Sequence, residues 1–207
     1  MASEKPRLIG RLLTLILFAG ALFLVGGGAF GWATGEQMVA QPAQNNAERS
    51  RSAFLSVIPV LRHPRCFNCH SSGDFPRQGD DSHVHAQNVK RGPSGSGKYG
   101  ERCSTCHQDH NVDGLNMPPG APNWHLPPPS HPMIWEGKTP GEICRLIKDP
   151  KQNGDKSLAA IVEHATSDKL VLWGWSPGEG RTVPPLSHEE FAQQISEWAK
   201  YGAACPD

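Results

Sequence analysis

Four of the six cysteines fall into two copies of one pattern, Cys66-Phe67-Asn68-Cys69-His70 and Cys103-Ser104-Thr105-Cys106-His107. Two thiols three positions apart share one helical turn and can each form a thioether with a vinyl group of one haem, while the next residue offers an imidazole to the iron. Cys-x-x-Cys-His is the c-type haem attachment spacing. The chain is therefore expected to hold two covalent haem c groups through Cys66, Cys69, Cys103 and Cys106, with His70 and His107 as proximal ligands. Paired thiols also build zinc ribbons, but 33 residues separate Cys69 from Cys103, against roughly 15–20 in the common ribbon spacing. A thioredoxin-like redox pair would want a βαβ context that the sequence lacks. Neither use explains a histidine after both pairs.

Two large apolar macrocycles would also explain a thin composition. In 207 residues, enough for one domain or two small ones, apolar side chains reach only 37%, against 22 Gly and 19 Pro. From Pro64 to Trp135 periodicity is lost, with runs such as GPSGSGKYG and HLPPPSHP, and no ordinary apolar core can be built there. A formal net charge of zero argues against a nucleic-acid face. Helical signals flank this stretch. Phe54, Leu55, Ile58 and Leu61 recur at helical spacing between Glu48 and Leu61, with Pro59 expected to cut or kink that helix. Thr139, Pro140 and Glu142 read as N-cap, N1 proline and capping-box partner of a helix that Pro150 stops. Asn153-Gly154 is a turn signal, a further helix is expected from Ser157 to Ala165, and Ser187 with Glu190 caps one that Gly202 closes. The expected fold class is mainly α with extensive irregular loops: a small dihaem cytochrome c-type domain behind one N-terminal transmembrane helix.

That helix is read from Leu12 to Ala33, 22 residues without a charge, long enough at about 1.5 Å per residue to span a bilayer core. Lys5, Arg7 and Arg11 precede it and no Lys or Arg follows before Arg49, so the amino terminus is expected in the cytoplasm and the rest in the periplasm. A cleaved signal peptide, leaving a soluble periplasmic protein, is the alternative. The expected organisation is an anchor over 1–33, a polar tether over 34–46 and the dihaem domain over 47–207. In an oxidising compartment the two remaining cysteines, Cys144 and Cys205, are expected to pair.

Distal ligation is open at this level. His83 and His85 lie far enough beyond His70 for their loop to fold back over the first haem, with His85 preferred; His125 or His164 could serve the second. His63 and His110 are too close to their own motifs and could reach only the other haem. Met117 and Met133 read as packing rather than ligands. Trp124, Trp135, Trp173, Trp175 and Trp198 are expected either on haem faces or in a small core. Arg62, Arg65, Lys90, Arg91, Lys98 and Arg102 could pair with propionates.

The segments HPRCFNCH, QGDDSHVH, VKRG, ERCSTCHQD, GAPNWHLPP, EICRLIKDPKQNG, LVLWGWSPGEGR and GAACP resemble the exported dihaem cytochrome c family often labelled as an isoquinoline 1-oxidoreductase subunit. The resemblance covers nearly all of the chain after the tether. It implies an electron-accepting partner of an oxidoreductase, since no molybdopterin or iron–sulfur binding pattern occurs here; unlike simple monohaem cytochromes, the chain lacks a clear distal-methionine loop. The expected activity is single-electron relay from a periplasmic dehydrogenase to a cytochrome or membrane complex. Two alternatives are a small peroxidase- or reductase-like haem enzyme with one open iron, using His164 and Glu163, and a quinol-oxidising anchor protein. The second is disfavoured because Thr14 is the only hydroxyl between Leu12 and Ala33.

Overall fold

The computed structural model describes residues 42–207. The apolar segment Leu12 to Ala33 and the first part of the tether lie outside the described residues, among which no helix is long and apolar enough to cross a membrane. The described chain is mainly helical, with four two-residue strands.

Helix α1 (Pro42–Leu61) begins inside the stretch read as tether and runs through Pro59 without being cut. Pro59 and Leu55 both face solvent, so the Leu55 carbonyl that loses its helical partner remains with water. Leu55 accordingly leaves the expected apolar stripe, being 46% exposed, and Val57 and Val60 join Phe54, Ile58 and Leu61 in the interior.

The carboxy-terminal helices start where capping chemistry puts them. In α3 (Pro140–Lys148) and α7 (His188–Lys200), Thr139 and Ser187 accept from the N3 amide while Glu142 and Glu190 bond back to the cap amide. These reciprocal bonds satisfy amides that lack a partner within the helix. Pro150 ends α3 but also opens a short α4 (Pro150–Asn153), capped by Asp149 and closed by Gly154 at φ 74°. Asn153 is more than a turn residue: its buried side chain donates to the Ile147 and Lys156 carbonyls (2.8 and 3.1 Å) and accepts from the Lys156 amide. Helix α5 (Leu158–Ser167) is capped by Ser157, and Asp168 caps the single turn α6 (Lys169–Leu172), followed by a 3-10 turn, Trp173–Trp175.

Helices α1, α3, α5 and α7 share one apolar core, in which Phe54, Val57, Val60, Ile143 and Trp198 are fully buried. The Phe54 and Trp198 rings pack at 5.3 Å. Beside them the Ser50 hydroxyl donates to the Trp198 carbonyl and accepts from the Ala204 amide, both at 2.8 Å. Cys144 and Cys205 form a disulfide that ties α3 to the tail, with Cα atoms 5.5 Å apart.

Between α1 and α3 only Ala121 and Leu126 are buried apolar residues. This region contains the one-turn α2 (Pro64–Phe67) and two small antiparallel pairs, β1 (Arg77–Gln78) with β2 (His83–Val84) and β3 (Gly97–Lys98) with β4 (Glu101–Arg102). Polar anchors replace apolar packing. Arg91, 2% exposed, donates to the carbonyls of Pro127, Ser71 and Gly73 and so holds three loop segments at once. Gly95, at φ +83°, bonds through its carbonyl to the Leu126 amide at 2.9 Å, an approach that a side chain would block.

Candidate functional site

Each Cys-x-x-Cys-His motif forms one tight turn. In the first, α2 carries Cys66, and the Cys69 amide bonds to the Cys66 carbonyl at 3.2 Å. In the second, a 3-10 turn over Cys103–Thr105 makes the same bond from Cys106 to Cys103, also at 3.2 Å. The spacing thus sets both thiols of a pair on one turn with the histidine immediately after it. None of the four thiols is in a disulfide.

The two motif histidines are held alike. His70 Nδ1 lies 2.9 Å from the Met133 carbonyl, and its ring stacks on Trp135 at 3.7 Å with 2° between the planes. His107 Nδ1 lies 2.7 Å from the Pro119 carbonyl, and its ring stacks on Trp124 at 4.5 Å, again with 2° between planes. A carbonyl can only accept, so each Nδ1 carries the proton and each Nε2 keeps its lone pair. That is the tautomer a metal-binding imidazole requires, and a backbone acceptor is the usual means of fixing it. Burial pushes His70 down to about 3, helped by the nearby positive charge of His164 and Arg91 and opposed by the Met133 bond. Burial lowers His107 as well. Both rings are therefore neutral at physiological pH.

A cavity of about 640 Å³ opens between the motifs, within the size range of cofactor sites. Cys69, Cys103, Cys106 and His107 line it, whereas Cys66 and His70 do not. Trp124, Trp173, Leu126, Pro118 and Pro119 supply apolar surface, and four arginines, Arg65, Arg77, Arg102 and Arg181, face a single carboxylate, Asp80. Arg65 is ion-paired with Asp80. The Nε atoms of Arg65 and Arg77 and the Oδ1 of Asn68 are nevertheless buried without a partner. The two unpaired arginine donors beside an apolar, cation-rich cavity fit a large flat apolar group that carries carboxylates. Haem is such a group, and the lining that holds Cys103, Cys106 and His107 fits one. Burial raises the Cys66 thiol to about 12 and Cys69 to about 11. Among the described residues no three His, Cys, Asp or Glu side chains converge on a point where an ion could sit.

The remaining histidines distribute differently from the sequence reading. His85, expected over the first motif, lies 6.2 Å from His107 of the second, centroid to centroid, and lines the same cavity. His83 sits at the cavity rim with Nδ1 2.6 Å from Asp81. His164, weighed for the second haem, instead lies close enough to His70 to depress its pKa, and its Nδ1 is 2.8 Å from Asp168. His125 bonds through Nδ1 to the Asn123 carbonyl and does not line the cavity. His63 caps α2 through Nδ1 and meets Thr182 through Nε2. Of the basic residues flanking the motifs, Arg65 and Arg102 reach the cavity. Arg91 is structural, Arg62 bonds to the Lys138 carbonyl and Lys90 lies over Phe75.

Several contributors had no reading in the sequence. Arg77 and Arg181 come from a hairpin and a glycine-rich loop, with no local pattern to mark them. Asn111 accepts from the Trp173 indole and the Gly120 amide (2.9 and 3.0 Å), which locks Trp173 edge-on against Trp124 at 4.8 Å. Asp168 did have a visible signal, since it follows His164 by four residues on a helix end, where side chains meet. Comparison with family models, with curated proteins and with solved structures finds no match to this chain.

Proposed function

We propose that the chain is a membrane-tethered, periplasmic dihaem c-type cytochrome that passes single electrons from a periplasmic dehydrogenase to a cytochrome or membrane complex of the respiratory chain. The observation that carries this reading is the matched treatment of His70 and His107: each follows a one-turn pair of thiols, gives its Nδ1–H to a backbone carbonyl, and is clamped flat against an indole. Haem attached at these motifs supplies reversible one-electron exchange at iron, with a potential set by the axial ligands and their surroundings. The chain's own residues do the positioning. Cys66 with Cys69, and Cys103 with Cys106, provide the thioether sulfurs. The Met133 and Pro119 carbonyls hold the two imidazoles in the ligating tautomer. Arg65, Arg77, Arg102 and Arg181 compensate carboxylates, while Trp124 and Trp173 keep water from the His107 side. Rigid anchoring of this kind suits a group that must change charge with little rearrangement. The uncharged stretch from Leu12 to Ala33, and the resemblance to exported dihaem cytochromes, support the tether, the compartment and the class of partner.

The test is to express the chain with haem-attachment machinery and count covalent haem by mass and by alkaline pyridine spectrum. Two per chain are expected, and one in each of the paired variants Cys66→Ala/Cys69→Ala and Cys103→Ala/Cys106→Ala. Recovery at the mass of the bare polypeptide overturns the reading.

A second reading, a peroxidase- or reductase-like enzyme with one open iron, draws support from the His164–Asp168 pair at 2.8 Å near His70, because a carboxylate-oriented imidazole is also a proton-transfer device. Carbon monoxide or cyanide binding at one haem favours the enzyme; two low-spin haems inert to both favour the relay.

A further inference from the structure

We propose that His85 is the axial ligand opposite His107, so that the hairpin following the first Cys-x-x-Cys-His motif completes the haem site of the second. This rests on the dihaem reading above and names the ligand and the iron it serves.

Three observations meet at His85. The first is position. His85 and His107 line one cavity together with Cys103 and Cys106, the two thiols of the second motif. The second is distance. The imidazole centroids are 6.2 Å apart with 69° between the planes. Two imidazoles bound to one metal from opposite sides, each through a bond of about 2 Å, place their centroids roughly 6 Å apart, and the planes may take any mutual rotation about the shared axis. The third is hydrogen bonding. His85 Nδ1 is buried with no partner, which a buried polar atom rarely tolerates unless another group satisfies it. Of the other candidates, His63, His125 and His164 do not line this cavity, and His83 lines it with Nδ1 2.6 Å from the exposed Asp81 carboxylate.

The backbone holds His85 where it is needed. Strands β1 and β2 pair Gln78 with His83 and Arg77 with Val84, and the His85 amide then bonds to the Pro76 carbonyl at 3.1 Å. The hairpin springs from the first motif, since the Arg77 amide bonds to the Asn68 carbonyl at 3.0 Å. The two haem sites are thereby interlocked: the turn that carries Cys69 also positions the ligand for the neighbouring iron.

The test compares the intact dihaem chain with His85→Ala and His85→Met by visible and electron-paramagnetic spectra, with covalent haem counted in every sample. His85→Ala should retain two haems, of which one becomes high-spin and binds carbon monoxide, and added imidazole should return it to the low-spin form. His85→Met should keep both haems low-spin and raise the potential of one, as a thioether ligand does. In the Cys66→Ala/Cys69→Ala background, which retains only the second site, His85→Ala should convert the single haem. In the Cys103→Ala/Cys106→Ala background it should change nothing. Two low-spin haems in His85→Ala, or a conversion that persists when the second site is removed, overturns the assignment while leaving the dihaem reading intact. Absence of covalent haem in the parent chain overturns both, and the haem count separates the two failures. If His85→Ala does not accumulate, His85→Met decides: an unshifted pair of potentials rejects His85 as a ligand.

Discussion

The helical part of the molecule, α1 with residues 139–207, and the loop part, residues 62–138, are built on different physics. The first buries Phe54, Val57, Ile143, Ile195 and Trp198 against one another, so water exclusion holds it together. The second buries two apolar side chains and relies on Arg91, on short hairpins and on two carbonyl-anchored histidines, of which His107 lines the cavity. A region of that composition cannot offset its ordering entropy by apolar burial alone. On the proposed dihaem reading, the contrast makes the loop part a mould for the haem groups and the helical part the frame that carries it.

The largest expected effect separates the two directly. When the chain is produced without haem attachment, amide exchange across 68–131 should accelerate by orders of magnitude while the interior amides of α1 and α7 stay protected, because sub-global opening follows local burial. Equal acceleration in both parts would break the comparison. Trp198→Ala should act in the opposite place. It removes a fully buried indole together with its hydrogen bond to the Ala204 carbonyl, at a cost of about 5 kcal/mol in unfolding free energy. With haem attached, its visible spectrum should match the parent below the melting temperature; a shifted haem spectrum in the folded variant would show that frame and mould are not separate.

Removing the disulfide with Cys144→Ser/Cys205→Ser should come next. The bridge spans 61 residues, and in the chain-entropy model a loop of that size contributes about 4 kcal/mol. Since it closes only the helical part, the loss should appear as a lower melting temperature with unchanged haem content. A change well below 1 kcal/mol would mean that the Lys148 bond to the Ala203 carbonyl and the Trp198 contacts already fix the tail.

The same division decides what could be read from the sequence. Capping is local, so Thr139 with Glu142 and Ser187 with Glu190 announce their helices within four residues, and both capping boxes form. The cysteine pattern is local too, and each motif turn forms as its spacing dictates. Pro59 leaves α1 uncut because a proline's effect on a helix depends on which side faces water, a tertiary fact. The loop part was legible only as a lack of period. Its working contacts join residues far apart in sequence: His70 to Trp135, Arg91 to Pro127, Asn111 to Trp173. The glycines of GPSGSGKYG, aperiodic in the sequence, are fixed at positive φ, as Gly95 is against Leu126. Chain reach alone could bring His85 back over His70, but the register of β1 with β2 turns it towards the other motif.

Acid provides the finest distinction. In the loop part, Glu136 accepts from the Ser72 hydroxyl and amide and from Arg77, which hold its carboxyl below the usual range despite some burial. Burial alone would raise Asp80, but hydrogen bonds from Thr182 and the Arg65 charge bring it below its ordinary value. In the helical part the depressed carboxyls are the caps: the Thr139 amide and hydroxyl lower Glu142, and the Ser187 hydroxyl and amide lower Glu190. A carboxyl whose folded pKa lies below its unfolded value of about 4 stabilises the fold fully above that value and loses the contribution as pH falls through the folded one. Both parts should therefore weaken between about pH 4 and the lower folded values. They should yield differently, because α7 retains its buried face when the cap is protonated, whereas Ser72 and Arg77 are tied to the 133–138 segment through the Glu136 carboxylate itself. Amide exchange followed from pH 5 downward should show 70–78 and 133–138 opening before α7. Glu136→Gln should flatten the acid response of those two segments alone, and Glu190→Gln that of the first turn of α7 alone. These are partly exposed pairs, so each effect is small. If Glu136→Gln flattened the acid response of α7 as well, the carboxylate would be bracing the frame, and the boundary drawn between the two parts would have to move.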